Sequence, residues 1–227
     1  MAHRSRRYVE SRQLVDRGRQ YSLEEAINGL KGMAPAHFDE SVECHVQLSI
    51  DPRHSDQQVR GSIALPHGTG KTRRVAVFAD GSRAEAARQA GADIVGADDL
   101  IAKVEGGFTD FDVALATPDM MGRIGRLGRH LGPRGLMPSP KSGTVREDIG
   151  PAVTEFKGGR IEFRNDAGGN VHVAVGKLSF ATEALAANVR ALIDQLVRIK
   201  PPAAKGKYIS KVYVAATMSP AVPVTLE

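Results

Sequence analysis

The chain has 227 residues, enough for one large or two modest domains that each bury a core. Its 31 Lys and Arg against 26 Asp and Glu leave a net charge of +5, which permits a polyanionic partner without establishing one. A single cysteine excludes an intrachain disulfide and a thiolate metal cluster, no apolar run approaches the length of about 18 residues that spans a bilayer, and 5% aromatics without Trp argue against a surface that stacks many bases.

The first nineteen residues carry Arg4, Arg6, Arg7, Arg12, Arg17 and Arg19 against Glu10 and Asp16. They read as a basic arm, solvated or touching phosphates, and no hydrophobic signal core follows it, so a reducing, cytosolic setting is the expectation. Ser22 and Glu25 form a capping box for a short helix bearing Leu23, Ala26, Ile27 and Leu30. "VECHVQLSI" at 42 to 50 then alternates apolar with polar residues, the pattern of a strand with one buried and one wet face. Cys44 keeps step with Val42 and Val46, which makes it a packed thiol rather than a nucleophile.

"HGTGKT" at 67 to 72 imitates the end of a phosphate-binding P-loop, but Leu65 stands where that motif needs its first Gly. A turn or hinge is the preferred reading. "VAVFA" at 75 to 79 and "VALA" at 113 to 116 are continuously apolar, as strands covered on both faces are. Between and after them the sequence predicts a helix to Gln89 capped by Ser82 and Glu85, a short strand over 93–95, a helix over 98–104 and another over 118–130. Asp110 and Asp112 flank the mouth of a strand, and Asp119 follows Pro118 in a first helical turn, so capping explains them without a metal. The seven His show neither HxH nor HExxH spacing.

"GRHLGPRGLMPSPK" at 128 to 141 holds three Gly, three Pro and four basic or potentially basic residues, within a stretch from Met121 to Arg146 that has six Arg or Lys and no acid. A phosphate-gripping loop, an enzyme's lid and a basic structural hinge all fit it. "RIEFRN" and "VHVAV" around the turn "NDAGGN" read as a hairpin, residues 181–198 as an amphipathic helix stopped by Pro201 and Pro202, and "KYISKVYVAAT" as a strand. Lys205, Lys207 and Lys211 add a second basic patch there. Pairing strands of like pattern gives a discontinuous α+β domain I, residues 1–67 and 159–227, interrupted by a Rossmann-like α/β domain II, residues 68–158. Gly-rich crossings at both ends suit a hinge. Two basic patches beside a one-sided sheet favour nucleic acid, and the lack of a recognition-helix pattern or zinc ligands favours RNA.

"FDESVECHVQLSIDPRHSDQQVRGSIALPHGTGK" at 38 to 71, "LGRHLGPRGLMPSPKSGTV" at 127 to 145, "KGGRIEFRND" at 157 to 166 and "YVAATMSP" at 213 to 220 resemble, in order and over essentially the whole length, the L1 (uL1) family of bacterial large-subunit ribosomal proteins. The resemblance implies a cytoplasmic, ribosome-bound protein without cofactor or catalysis, monomeric when free. Its implied partners are the stalk of 23S rRNA, E-site tRNA and its own operon mRNA, whose translation it represses. It implies a main RNA surface on domain I, at His37 and Phe38 before the first alternating strand and at Thr217, Met218 and Ser219 near the end. Arg53, Arg60, Arg164, Asp166, Lys205, Ser210 and Lys211 complete that implied surface. Arg129, Arg134 and Lys141 are secondary RNA or tRNA contacts, or parts of a rigid loop. The family usually has Lys and Gly where this chain has His37 and Ser219, so a weakened phosphate contact and a side chain at a close approach, or at positive φ, are expected. Nucleotide chemistry at a cleft, and a regulator acting mainly on mRNA, are the competing readings.

Overall fold

The computed structural model describes residues 5–16, 18–33 and 36–225; Arg4 and Arg17 of the basic arm lie outside the described residues. The elements are, in order, helices α1 (Arg6–Gln13) and α2 (Leu23–Gly32), strands β1 (Ser41–Leu48), β2 (Arg60–Ala64) and β3 (Val75–Phe78), helix α3 (Gly81–Gln89), strand β4 (Ile94–Gly96), helix α4 (Asp98–Glu105) and strand β5 (Val113–Ala116). A run of short α and 3-10 turns follows from Pro118 to Leu131, including α5 (Met121–Ile124) and α6 (Gly128–Leu131). The chain ends with α7 (Ile149–Lys157), β6 (Arg160–Arg164), β7 (Asn170–Lys177), α8 (Thr182–Arg198), β8 (Ile209–Ala216) and β9 (Val222–Val224). It divides into two compact units, Met1–Gly70 with Phe163–Glu227, and Lys71–Glu162.

The first unit holds an antiparallel sheet in the order β7-β1-β8-β9. The alternation along β1 buries Val42, Cys44, Val46 and Leu48, and β7 and β8 add Val171, Val173, Val175, Val212 and Val214. Against this face pack α2, through Ala26, Ile27 and Leu30, and α8, through Leu185, Val189, Leu192 and Leu196. The Ser22–Glu25 capping box is present. Burial pushes the Cys44 thiol up to about 12, so it is no thiolate at neutral pH. Strands β2 and β6 pair as a separate two-stranded sheet.

The second unit is a parallel sheet in the order β4-β3-β5 with helices on both faces. Ala76, Phe78, Ala114 and Ala116 meet Leu100, Ile101 and Val104 of α4 with Ile124, Leu127 and Leu131. Val75, Val77, Val113 and Leu115 point the other way, onto Ala84 and Ala87 of α3 and Ile149, Val153 and Phe156 of α7. Burial on both faces is why β3 and β5 are apolar at every position.

Several expectations need correction. Helix α3 is capped by Asp80, whose carboxylate accepts from the Gly81 amide, and not by Ser82. Gly81 at φ +56° makes the turn that starts the helix ahead of Ser82. The strand expected over 93–95 runs one residue later, over Ile94–Gly96, and Asp93 just before it exchanges two bonds with Val75, its amide donating to the carbonyl at 3.0 Å and its carboxylate accepting from the amide at 2.8 Å. Residues 118–131 are a chain of single turns, not one regular helix, with Gly122, Gly125 and Gly128 spaced every three residues along it. Part of the basic arm is helix α1, started by Ser5, whose hydroxyl accepts from the Tyr8 amide. Helix α7 is not among the expected elements; its first turn accommodates Pro151, and Ile149, Ala152, Val153 and Phe156 fall on one face.

Candidate nucleic-acid interface

One buried carboxylate organises the part of the first unit that the sequence marked most strongly. Glu40, only 4% exposed, accepts from the Ala36 amide through Oε1 at 3.1 Å and from the Met218 amide through Oε2 at 2.7 Å. Arg7 of α1 stands 4.0 Å from Oε1. Two segments far apart in sequence, 36–40 and 217–219, are thereby held on a single side chain.

Around it the backbone is tied further. Asp39 accepts from the Ser179 amide at 3.1 Å and from its hydroxyl at 2.8 Å. The Thr217 amide donates to the Ser41 carbonyl at 3.1 Å, and the Ser41 amide donates to the Thr217 hydroxyl at 3.1 Å. Between these anchors Phe38 is 55% exposed and Met218 is 49% exposed, next to exposed His37 and Thr217. Phe38 and Met218 are thus two large apolar side chains left outward by segments whose backbone is tied down on Glu40, Asp39 and Ser41.

Ser219 takes no positive φ, which no described non-Gly residue does. Its hydroxyl instead accepts from the Ala216 amide at 2.8 Å and has the Ala216 and Pro220 carbonyls, at 3.3 and 3.2 Å, as alternative acceptors for its one proton, closing the turn after β8. The expected backbone strain is therefore absent at this position.

The sheet's uncovered face continues the surface. In β8 the register slips between Gln47↔Lys211 and Leu48↔Ile209, so Ser210 is the extra residue of a β-bulge. The bulge leaves Ser210 and Lys211 both exposed, which strict alternation forbids. Lys205 is exposed on the loop before this strand. A separate shallow cavity of about 300 Å³ is lined by Arg60, Arg164, Asn165 and Asp166 with Pro52, Gln58 and Val59, and Arg53 is exposed on the neighbouring turn. Asp166 is engaged within the protein: its carboxylate accepts from the Asn170 amide at 2.7 Å, from the Asn170 side chain and from the Gly168 amide at 2.8 Å, and these bonds, those of Asn170 foremost, with His172 beside them, lower its pKa to about 2.

Sequence spacing gave the histidines no partners, yet register supplies one. His45 lies opposite His172, with Nδ1 atoms 2.8 Å apart and rings edge to face at 5.0 Å. Glu43 stands 3.8 Å from His45 Nε2, Asp166 stands 3.3 Å from His172 Nε2, and Tyr213 is directly across from His45 on β8. Two facing ring nitrogens can share one proton but not hold two. Burial first, and the His172 charge second, lower the pKa of His45 from 6.5, with Glu43 opposing. The unfolded chain therefore binds a proton more readily than the native state. The stability gained at neutral pH should be lost as pH falls from above 6.5 toward the depressed native value. Urea midpoints at about pH 7.5 and about pH 5 should show this loss, and His172→Gln should flatten it; an unchanged slope in that variant would remove the pair from the account.

In the second unit the basic segment is a firm loop. Leu131 is buried, and Leu136 and Met137 pack on the same core. The buried Ser142 hydroxyl donates to the Ser139 carbonyl at 3.0 Å, and the buried Thr144 hydroxyl, 3.0 Å from Ser142 Oγ, accepts from the Ser139 amide at 2.8 Å. Arg134 donates to the Thr109 hydroxyl, while Arg129 and Lys141 are exposed without a described acidic partner. Asp110 pairs with Arg74 at 2.5 Å, Asp112 accepts from the Arg74 amide at 3.0 Å and Asp119 pairs with Arg83. Among the described residues no three His, Cys, Asp or Glu cluster as metal ligands. The P-loop imitation is spent internally too: the His67 amide donates to Asn188 and the Gly68 amide to the Leu65 carbonyl.

The Ribosomal protein L1p/L10e family model matches residues 30–220. The chain belongs to that family. It is 56% identical over 222 residues to the large ribosomal subunit protein uL1 of Kosmotoga olearia, covering 98% of this chain and 96% of that one. To the protein of the same name from Bifidobacterium longum it is 55% identical over 224 residues, 99% and 97% of the two chains. The resemblance read from the motifs is thus established, and membership makes this a ribosomal protein and not an enzyme. The family frame leaves Glu40, the β8 bulge and the histidine pair as features that motif reading missed. A Glu two positions after an aromatic and directly before an alternating strand was the available signal for Glu40.

Proposed function

We propose that the chain binds the stalk of 23S ribosomal RNA through the first unit, at the surface built on Glu40. The observation that carries this is an exposed Phe38 and an exposed Met218 held on one buried carboxylate beside a basic, uncovered sheet face. Phe38 and the Met218 thioether offer faces for ribose or base. Thr217 and the turn's backbone offer partners for 2′-hydroxyls, and Lys205, Lys211, Arg53, Arg60 and Arg164 supply charge for phosphates. Asp166 serves this surface by shaping the 166–170 turn. Filter binding to the stalk fragment at several salt concentrations, against an unrelated structured RNA, tests the reading. Phe38→Ala should weaken stalk binding by about 1–2 kcal/mol, roughly five- to thirtyfold, with the thermal transition unchanged. Equal binding to both RNAs would overturn the proposal.

The exposed Arg129 and Lys141, in a segment without acids, favour a second contact from the other unit, to ribosomal RNA or to departing E-site tRNA. Repression of the protein's own message follows if that transcript presents a fold like the stalk. Competition between the two RNAs for one site would measure it.

A further inference from the structure

Helix α1 forms one wall of an open groove of about 440 Å³. Ser5, Arg7 and Tyr8 line it on one side and Thr217, Met218 and Ser219 on the other. The sequence marks residues 4–19 only as a basic arm, and family motifs begin beyond it, so nothing in either reading places α1 beside the Thr217–Ser219 turn. We infer that this groove holds one unpaired nucleotide of the bound RNA, its base against the Tyr8 ring and the Met218 thioether and its phosphate toward Arg7. The inference rests on the RNA-binding reading above and extends that surface across α1.

The chemistry is that of a nucleotide more than of a peptide or lipid. One wall carries an aromatic ring and a cation, the other a thioether and a hydroxyl, and the size falls in the range of roughly 300–1,000 Å³ typical of small-ligand clefts. Arg7 stands 4.0 Å from the same carboxylate that accepts from the Met218 amide, which brings the cation and the backbone bearing the thioether to one place. Glu40 has both oxygens engaged by backbone amides and Arg7 4.0 Å from one of them, so its negative charge is partly offset before a ligand enters the groove. Tyr8 is half-buried on a helix whose start is capped by Ser5, so its ring is presented by an ordered backbone. Stacking a base on a pre-positioned ring costs little ordering.

The chain contains no Trp, so Tyr8→Trp creates a single indole reporter inside the groove. Titrated with the stalk RNA, its emission should be quenched in step with binding, and Tyr8→Ala should lose at least about fivefold in affinity. Arg7→Gln should in addition flatten the salt dependence by about one phosphate contact. Stalk binding by Tyr8→Ala equal to that of the unmodified chain, with Phe38→Ala still impaired, would overturn the groove assignment and leave the wider reading standing. No selective RNA binding by the unmodified chain would overturn both.

Discussion

Glu40→Ala is expected to lower stalk RNA affinity roughly tenfold to a hundredfold, more than any single exposed contact residue. Hydrogen bonds to a charged group contribute about 1.5–3 kcal/mol each, and this carboxylate makes two, to Ala36 and Met218. Removing it leaves both amides without their acceptor and takes away the carboxylate that stands 4.0 Å from Arg7. The segments bearing Phe38 and Met218 then have to be ordered by the RNA at each binding event, which subtracts from affinity. Glu40→Gln separates this role from a bulk charge effect. The amide keeps one acceptor oxygen and loses the other, so an intermediate affinity is expected. Amide hydrogen exchange at Ala36 and Met218 should accelerate strongly in the Ala variant, while the amides of Val42, Cys44 and Val46 within β1 stay protected. Unchanged affinity in Glu40→Ala, with the fold intact, would remove the carboxylate from the site.

How far the sequence carries depends on whether a feature is periodic or relational. The alternation in β1 and the apolar stripe of α8 are periodic, and both elements stand where the pattern put them. The all-apolar β3 and β5 announced a sheet covered on both faces for the same reason. Relational features were not legible. His45 and His172 meet only because β1 and β7 pair in one register, and Ser210 turns outward only because β8 carries a bulge opposite Gln47 and Leu48. Glu40 reads as one more acid in "FDESVE" until burial distinguishes it from Asp39 and Glu43. Phe38 illustrates the limit from the other side: residue type alone makes a Phe a core residue, and its exposure is a fact of three dimensions.

Asn188→Ala should cost the first unit about 2–4 kcal/mol, the largest stability effect expected of any polar residue in it. Asn188 lies fully buried on the packed face of α8, between Leu185 and Leu192, where a polar side chain is unfavourable unless fully bonded. Its Oδ1 accepts from the His67 amide at 3.0 Å, and its Nδ2 donates to the Gly68 carbonyl at 2.9 Å and the Val175 carbonyl at 2.7 Å. Truncation strands three backbone groups, each worth about 1–3 kcal/mol when left unpaired, with partial relief where water reaches the loop. Asn188→Asp should be no better, since a carboxylate would face two carbonyls. Urea unfolding is the measurement, with Val197→Ala on the exposed side of the same helix as a control that should change little. A loss below about 1 kcal/mol would mean that the 66–70 loop is held by something else. The same three bonds explain why "HGTGKT" is no phosphate cradle: a P-loop keeps its amides open to the ligand, and here the His67 amide is already committed to the core of the unit.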